Sequence, residues 1–244
     1  MKLFGLIGYP LKHSFSKAYF SQKFNKEHIV DCVYENFPLL KVEEFPGLIA
    51  SRPDLDGLNV TIPYKESIIQ YINELHPVSK EIGAVNTIKF EDNILKGCNT
   101  DVYGFIKSFE KELEDVHKQA LILGTGGSSK AVAYGLRKLG IPYQFVSRDS
   151  QNKNVLVYEN LTPALINEFK IIINTTPLGM FPETNVCPLI PYEFLTASHF
   201  LFDLIYNPSE TLFLRKGKER HAKTKNGLEM LQLQAEKSWE IWNE

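Results

Sequence analysis

The sequence has little cysteine, no excess of charge and no long apolar run, and each shortage removes a class of protein. Its three cysteines, Cys32, Cys98 and Cys187, are odd in number and far apart. That excludes a disulfide framework and fits a reducing cytoplasm. The six histidines show no metal-ligand spacing among themselves or with the cysteines, so no metal is expected. Basic side chains number 27 against 29 acidic, a formal charge of -2. No broad basic field exists for nucleic acid or an anionic membrane. No stretch approaches the roughly 20 apolar residues of a membrane span. Met1 to Tyr9 carries one lysine and runs into Pro10, which reads as a first strand rather than a signal peptide. Internal repeats and low-complexity linkers are also missing. What remains is a globular chain, expected to act on a small molecule as a monomer or homodimer.

What is present is an alternation of strand-length apolar runs with segments of helical periodicity, the βαβ pattern of an α/β protein. Strands are expected at Lys2 to Gly8, Cys32 to Phe37, Gly57 to Ile62, Val85 to Phe90 and Ile94 to Gly97, with a tight turn at Glu91-Asp92-Asn93. Helices are expected at Ser16 to Asn25, Val42 to Ala50, Tyr64 to Tyr71 and Gly104 to Leu113. A second series has strands at Ala120 to Leu123, Tyr143 to Val146, Ile171 to Asn174 and Phe200 to Leu204. The final helix, Leu228 to Trp242, carries Leu228, Leu231, Ala235, Trp239 and Trp242 on one stripe, so it must pack on something. The expected organisation is two domains: residues 1–101 with 227–244, and residues 102–226.

Leu121-Ile122-Leu123-Gly124-Thr125-Gly126-Gly127-Ser128-Ser129-Lys130-Ala131 reads as strand, glycine turn and helix start. Gly124 permits the tight turn, Gly126 lets the backbone approach a pyrophosphate, and a helix opening near Ser128 offers its positive end to that anion. In an NAD site the next strand ends in an acid that holds the ribose hydroxyl. Here Tyr143-Gln144-Phe145-Val146 ends in Ser147-Arg148. A guanidinium suits a ribose 2′-phosphate, which favours NADP. Asp149 beside it leaves NAD open, as well as a plain strand-end charge.

Asn59-Val60-Thr61-Ile62-Pro63-Tyr64-Lys65-Glu66 places Asn59 and Thr61 on one face of a strand end. If Pro63 opens a helix, Lys65 stands in its first turn, where the dipole disfavours a cation and favours proton loss. The alternative is a surface lysine paired with Glu66. Asp101 closes Asn99-Thr100-Asp101 and is either a helix cap or the partner of an acid–base lysine. Asn86, after Gly83-Ala84-Val85, adds a polar group at the same strand ends. Ser14 and Ser16 lie before the first helix. Ser16 fits an N-cap, and both hydroxyls also suit an anion such as a carboxylate.

Taken together and in order, these motifs resemble the shikimate dehydrogenase family across nearly the whole chain. They are Gly8-Tyr9-Pro10 with His13-Ser14-Phe15-Ser16, Asn59 to Lys65, Gly83 to Thr87, Asn99-Thr100-Asp101 and Gly124 to Gly127. Asn174-Thr175-Thr176-Pro177-Leu178-Gly179-Met180, Asp203 to Pro208 and Asn226 to Leu231 follow. The resemblance implies an N-terminal α/β substrate domain and a Rossmann-like NADP-binding domain, with reversible NADPH reduction of 3-dehydroshikimate to shikimate. It makes Lys65 the acid–base group and Asp101 its partner. Ser14, Ser16 and Tyr206 would hold the substrate carboxylate, and Asn59, Thr61, Asn86, Asp101 and Gln234 the ring hydroxyls. The cofactor would meet Gly124, Thr125, Gly126, Gly127, Ser128, Ser147, Arg148, Thr175 and Gly227. The chain departs from the family at Ser129-Lys130, where Ala-Arg is common, and at Ser147-Arg148-Asp149, where Asn-Arg-Thr or Asn-Arg-Ser is usual. Ser150 to Leu161 lacks the usual helix and its second basic residue, for which Lys153 is the substitute in view. Two rivals follow: a quinate/shikimate dehydrogenase using NAD, and a cofactor-binding sensor that has lost the chemistry.

Overall fold

A computed structural model describes residues 1–11, 14–148 and 154–244; the readings placed on His13, Asp149 and Lys153 lie outside the described residues. The chain forms two compact units, Met1–Thr100 with Ala235–Glu244, and Asp101–Gln234.

The first unit runs β1 (Lys2–Gly8), α1 (Phe15–Lys26), β2 (Cys32–Pro38), α2 (Phe45–Ser51), β3 (Leu55–Val60), β4 (Glu74–Leu75), α3 (Pro77–Ile82), β5 (Thr87–Glu91) and β6 (Ile94–Cys98). They make one mixed sheet in the order β2-β1-β3-β5-β6-β4. β1 lies parallel to β2 and β3, whereas β5 runs antiparallel to β3 and β6. Asp92 and Asn93 both have positive φ, 50° and 62°, as a two-residue hairpin loop demands. One face of the sheet is covered by aromatic packing: Trp242 stacks on Phe4 with ring centroids 4.7 Å apart. The Trp242 indole N–H donates to the Ile88 carbonyl at 3.0 Å. A Cβ on Gly57 would lie 2.4 Å from that indole, so glycine is what lets the tryptophan lie flat on β3.

The second unit runs α4 (Asp101–Phe109), β7 (Ala120–Leu123), α5 (Gly127–Lys138), β8 (Tyr143–Ser147), β9 (Val155–Val157), α6 (Pro163–Glu168), β10 (Ile171–Asn174), β11 (Phe200–Asp203), α7 (Leu212–Lys218), β12 (Lys223–Lys225) and the first turns of α8 (Leu228–Asn243). The sheet order is β12-β11-β10-β7-β8-β9, with every pair parallel. Counted from the first strand, that is the 3-2-1-4-5-6 order of dinucleotide-binding sheets, with its switch point between β7 and β10. Strands in such a sheet are covered on both faces and become continuous apolar runs. Ala120 to Leu123 and Ile171 to Ile173 are accordingly wholly buried. Ala120 and Ile122 enter one core, Leu121 and Leu123 the other.

Three local expectations are corrected. No helix spans Tyr64–Tyr71; only a five-residue 3-10 turn forms, at Ser67–Tyr71. Tertiary bonds claim the preceding residues: Val85 N–H donates to the Lys65 carbonyl at 2.7 Å, and the buried Tyr64 hydroxyl donates to the Leu39 carbonyl at 2.6 Å. The helix placed at Gly104–Leu113 starts earlier, at Asp101, and ends at Phe109 with a 3-10 turn over Glu110–Glu112. The N-cap of α1 is Ser14, so Ser16 is already inside the helix. Among the described residues no helix is long and apolar enough to cross a membrane.

Candidate active site

In the first unit a buried polar network joins residues from five separate segments. Asn59, 4% exposed near the end of β3, accepts from the Tyr34 hydroxyl at 2.8 Å through Oδ1. Its Nδ2 lies 3.0 Å from Ser238 Oγ and 3.3 Å from both the Asn86 carbonyl and Thr87 Oγ1. Asn86 donates to Thr100 Oγ1 at 2.9 Å and accepts from the Thr100 N–H at 2.7 Å. Ser238 closes the ring with contacts to Thr87 at 2.8 Å and Thr100 at 3.2 Å. Burial pushes the pKa of the same Tyr34 phenol well above the ordinary range. The network therefore stays uncharged. Ser14 Oγ is buried and has no partner among the described residues. A hydroxyl left over beside the N-terminus of a twelve-residue helix suits an anion.

Thr61 follows β3, its N–H donating to the Ile7 carbonyl at 2.9 Å, and a Cβ on Gly8 would fall 2.4 Å from its methyl. Lys65 is half-buried in the turn before Ser67. With no helix opening at Pro63, Lys65 does not stand at a helix N-terminus and meets no helix dipole there. Of the residues anticipated for substrate, the first unit thus holds Ser14, Ser16, Asn59, Thr61, Lys65 and Asn86. Tyr34, Thr87, Thr100 and Ser238 were not foreseen as site-builders. Ser238 had a signal, since it lies one helical turn after Gln234; nothing marked Tyr34.

In the second unit Asp101 is the first residue of α4, 6% exposed, a favourable place for a carboxylate against the helix dipole. Gln234 is 8% exposed and donates to the Leu231 carbonyl. Tyr206 lies half-buried in the loop after β11. The glycine turn follows β7. Gly124 has φ +107°, and a Cβ there would lie 2.8 Å from Thr175 Oγ1. Thr175 in turn donates from Oγ1 and N–H to the Leu123 carbonyl, at 2.6 and 3.0 Å. The turn and the end of β10 therefore meet at the switch point. A Cβ on Gly126, the N-cap of α5, would meet nothing within 4 Å. Thr125 and Gly127 flank that open face, and no acid stands in the first turn with Gly127 and Ser128. Backbone N–H groups at an acid-free helix start, with room before them, fit a pyrophosphate. Ser147 ends β8 at the same edge, and Arg148 is exposed after it, close enough to Tyr158 to oppose the burial that pushes that phenol up to about 12. Gly227 has a packing reason of its own: a Cβ would fall 2.1 Å from the Leu204 carbonyl.

Asp203 went unanticipated as a builder of this edge. Wholly buried at the end of β11, it accepts from Asn174 Nδ2 and the Ile205 N–H, both at 3.0 Å, and from Thr211 Oγ1 at 2.5 Å. Burial raises its pKa to about 7 despite those three donors. Among the described residues no group of three or more His, Cys, Asp or Glu side chains is placed to hold a metal.

Residues 6–88 match the family described as the shikimate dehydrogenase substrate binding domain. A shikimate dehydrogenase (NADP(+)) of Caldanaerobacter subterraneus subsp. tengcongensis is 38% identical over 99% of this chain and 91% of its own. The crystal structure of shikimate dehydrogenase 1 from Peptoclostridium difficile superimposes with a TM-score of 0.88 at 38% identity, covering 100% of this chain and 92% of that one. That of the Thermus thermophilus enzyme in complex with NADP(H) and shikimate gives 0.88 at 28% identity, covering 99% and 93%. With a nucleotide-type sheet, an open glycine turn and a buried polar network in one chain, and similarity spanning its full length, this protein belongs to the shikimate dehydrogenase family.

Proposed function

We propose that the chain catalyses the reversible NADP-dependent reduction of 3-dehydroshikimate to shikimate, a step of aromatic amino acid biosynthesis, in the cytoplasm. The observation that carries this reading is the full-length similarity to shikimate dehydrogenases (NADP(+)), with the family's polar motif residues present in order. Gly124 to Ser128, Ser147, Arg148, Thr175 and Gly227 would hold the cofactor, and the open face at Gly126 with the acid-free helix start fits its pyrophosphate. NADPH supplies the hydride when bound.

The chain's own residues do the rest. Ser14, Ser16 and Tyr206 hold the substrate carboxylate, while Asn59, Thr61, Asn86 and Gln234 bind ring hydroxyls. Lys65 gives a proton to the carbonyl oxygen during reduction and takes it from the hydroxyl during oxidation, with Asp101 as its partner. Residues 1–101 with 227–244 serve the substrate, and 102–226 the cofactor.

Steady-state oxidation of shikimate and quinate with NADP and with NAD tests the reading. Shikimate with NADP should give the highest kcat/KM. A higher value for quinate overturns the substrate, a preference for NAD overturns the cofactor, and no turnover favours a binding-only protein. Lys65→Ala should lower kcat by roughly 10²- to 10⁴-fold, the usual contribution of a general acid–base group, and leave shikimate binding nearly unchanged.

A further inference from the structure

We propose, on the reading that Thr175 and Gly227 meet NADP, that Asp203 is a positioning residue for the cofactor, its carboxylate fixing the backbone that carries both. Asp203 and Asn174 end the neighbouring parallel strands β11 and β10 and lie opposite each other in register. Both are wholly buried. Asp203 Oδ1 accepts from Asn174 Nδ2 and from the Ile205 N–H, each at 3.0 Å, and Oδ2 accepts from Thr211 Oγ1 at 2.5 Å. The amide of Asn174 has one possible orientation. Its Oδ1 accepts from the Thr176 N–H at 3.0 Å, and a backbone N–H can only donate, so Nδ2 must face Asp203. Thr176 Oγ1 donates to the same Asn174 oxygen at 2.7 Å and accepts from the Leu178 N–H at 3.3 Å. The turn after β10 is thus wound around Asn174, with Thr175 inside it.

A second arm runs through Ile205. Asp203 Oδ1 holds its N–H, and its carbonyl accepts from the Gly227 N–H at 3.0 Å. A Cβ on Gly227 would collide with the Leu204 carbonyl, so the loop after β11 and Gly227 meet backbone to backbone. One carboxylate oxygen therefore sets the loop after β10, which closes on the Gly124 turn through Thr175, and the loop after β11, which holds Gly227. Both arms demand an acceptor at Oδ1, because each ends there in an N–H. The other oxygen has a different task. Thr211 Oγ1 already accepts from the Leu214 N–H at 3.3 Å, so its single proton is free to go to Oδ2. Asparagine at 203 would keep the oxygen that accepts from both arms and change only the contact with Thr211. Alanine would leave two buried donors without a partner, which is costly.

The test is equilibrium titration of NADP into the full-length protein and its variants, well below each unfolding midpoint. Asp203→Ala should raise the Kd of NADP about tenfold, the size of one lost buried hydrogen bond. Asp203→Asn should rescue it to within about twofold of the parent, the scatter between independent sites. A side chain with a merely structural role would lower the midpoint in Asp203→Ala and leave the Kd of the folded protein where it was; that result overturns the inference. So does an Asp203→Asn variant that binds as weakly as Asp203→Ala, since the shared oxygen would then not be what positions the loops. Should Asp203→Ala fail to fold, Asn174→Ala decides: it cuts the first arm while Asp203 keeps Ile205 and Thr211, and an unchanged Kd overturns the inference. A parent protein that does not bind NADP overturns the cofactor reading itself, a distinct outcome.

Discussion

The two units solve the problem of placing polar groups in opposite ways. In the parallel sheet of the second unit the central strands are wholly buried apolar runs, and the candidate cofactor site is built around backbone: a glycine turn and a helix start. In the first unit the candidate substrate site is made of side chains, with Tyr34, Asn59, Asn86, Thr87, Thr100 and Ser238 drawn from separate segments into one uncharged network. Backbone geometry suits a ligand recognised by phosphate charge. Side chains suit one recognised by the arrangement of its hydroxyls.

This contrast sets the expected sensitivity of each unit to change, and the largest expected effect concerns Asp203. It is the ionisable group that holds the β10, β11 and α7 ends together, and its folded pKa is raised to about 7 from 3.8. A carboxyl with a raised folded pKa contributes stability below its unfolded pKa and loses it as pH rises to the folded value. Between pH 5 and 8 the protein should therefore lose about 2 to 3 kcal/mol of unfolding free energy relative to Asp203→Asn. Denaturant titrations of both at the two pH values check it. Ser238→Ala, in the uncharged network, should cost the same at both. His117 and His199, whose pKa values burial lowers, act in the opposite sense, losing stability as pH falls through about 6.5, but cancel in the comparison.

A smaller effect is expected at the glycine turn. Gly124→Ala places a side chain at φ +107° and 2.8 Å from Thr175 Oγ1, which should cost about 1 to 3 kcal/mol of stability and weaken NADP binding. The Kd of shikimate measured alone should not move. A matched loss of both affinities would break the division between backbone and side-chain recognition.

The same division explains what was legible in the sequence. Ala120 to Leu123 and Ile171 to Ile173 announce themselves as buried parallel strands, and Gly124 and Gly126 mark the turn, because backbone sites need particular residues at fixed local spacing. The Asp92-Asn93 hairpin is visible for the same reason. Tyr64 to Tyr71 looked helical by periodicity, but the Leu39 carbonyl and Val85 N–H, distant in sequence, claim Tyr64 and Lys65. Tyr34 and Ser238 looked like ordinary strand and helix positions, since their partners lie 25 and 179 residues from them at Asn59. Ser16 was displaced from the cap by two residues, and the cap itself, Ser14, leaves its hydroxyl unspent. Long-range partners leave no local pattern.

The most direct measurement compares Asn59→Ala with Arg148→Ala by equilibrium titration of each ligand alone. The account predicts a crossover: Asn59→Ala weakens shikimate by roughly tenfold and spares NADP, whereas Arg148→Ala weakens NADP by a similar factor and spares shikimate, each loss matching a charge-assisted or buried hydrogen bond. If either substitution weakens both ligands equally, recognition is not divided between the two units and the account is contradicted.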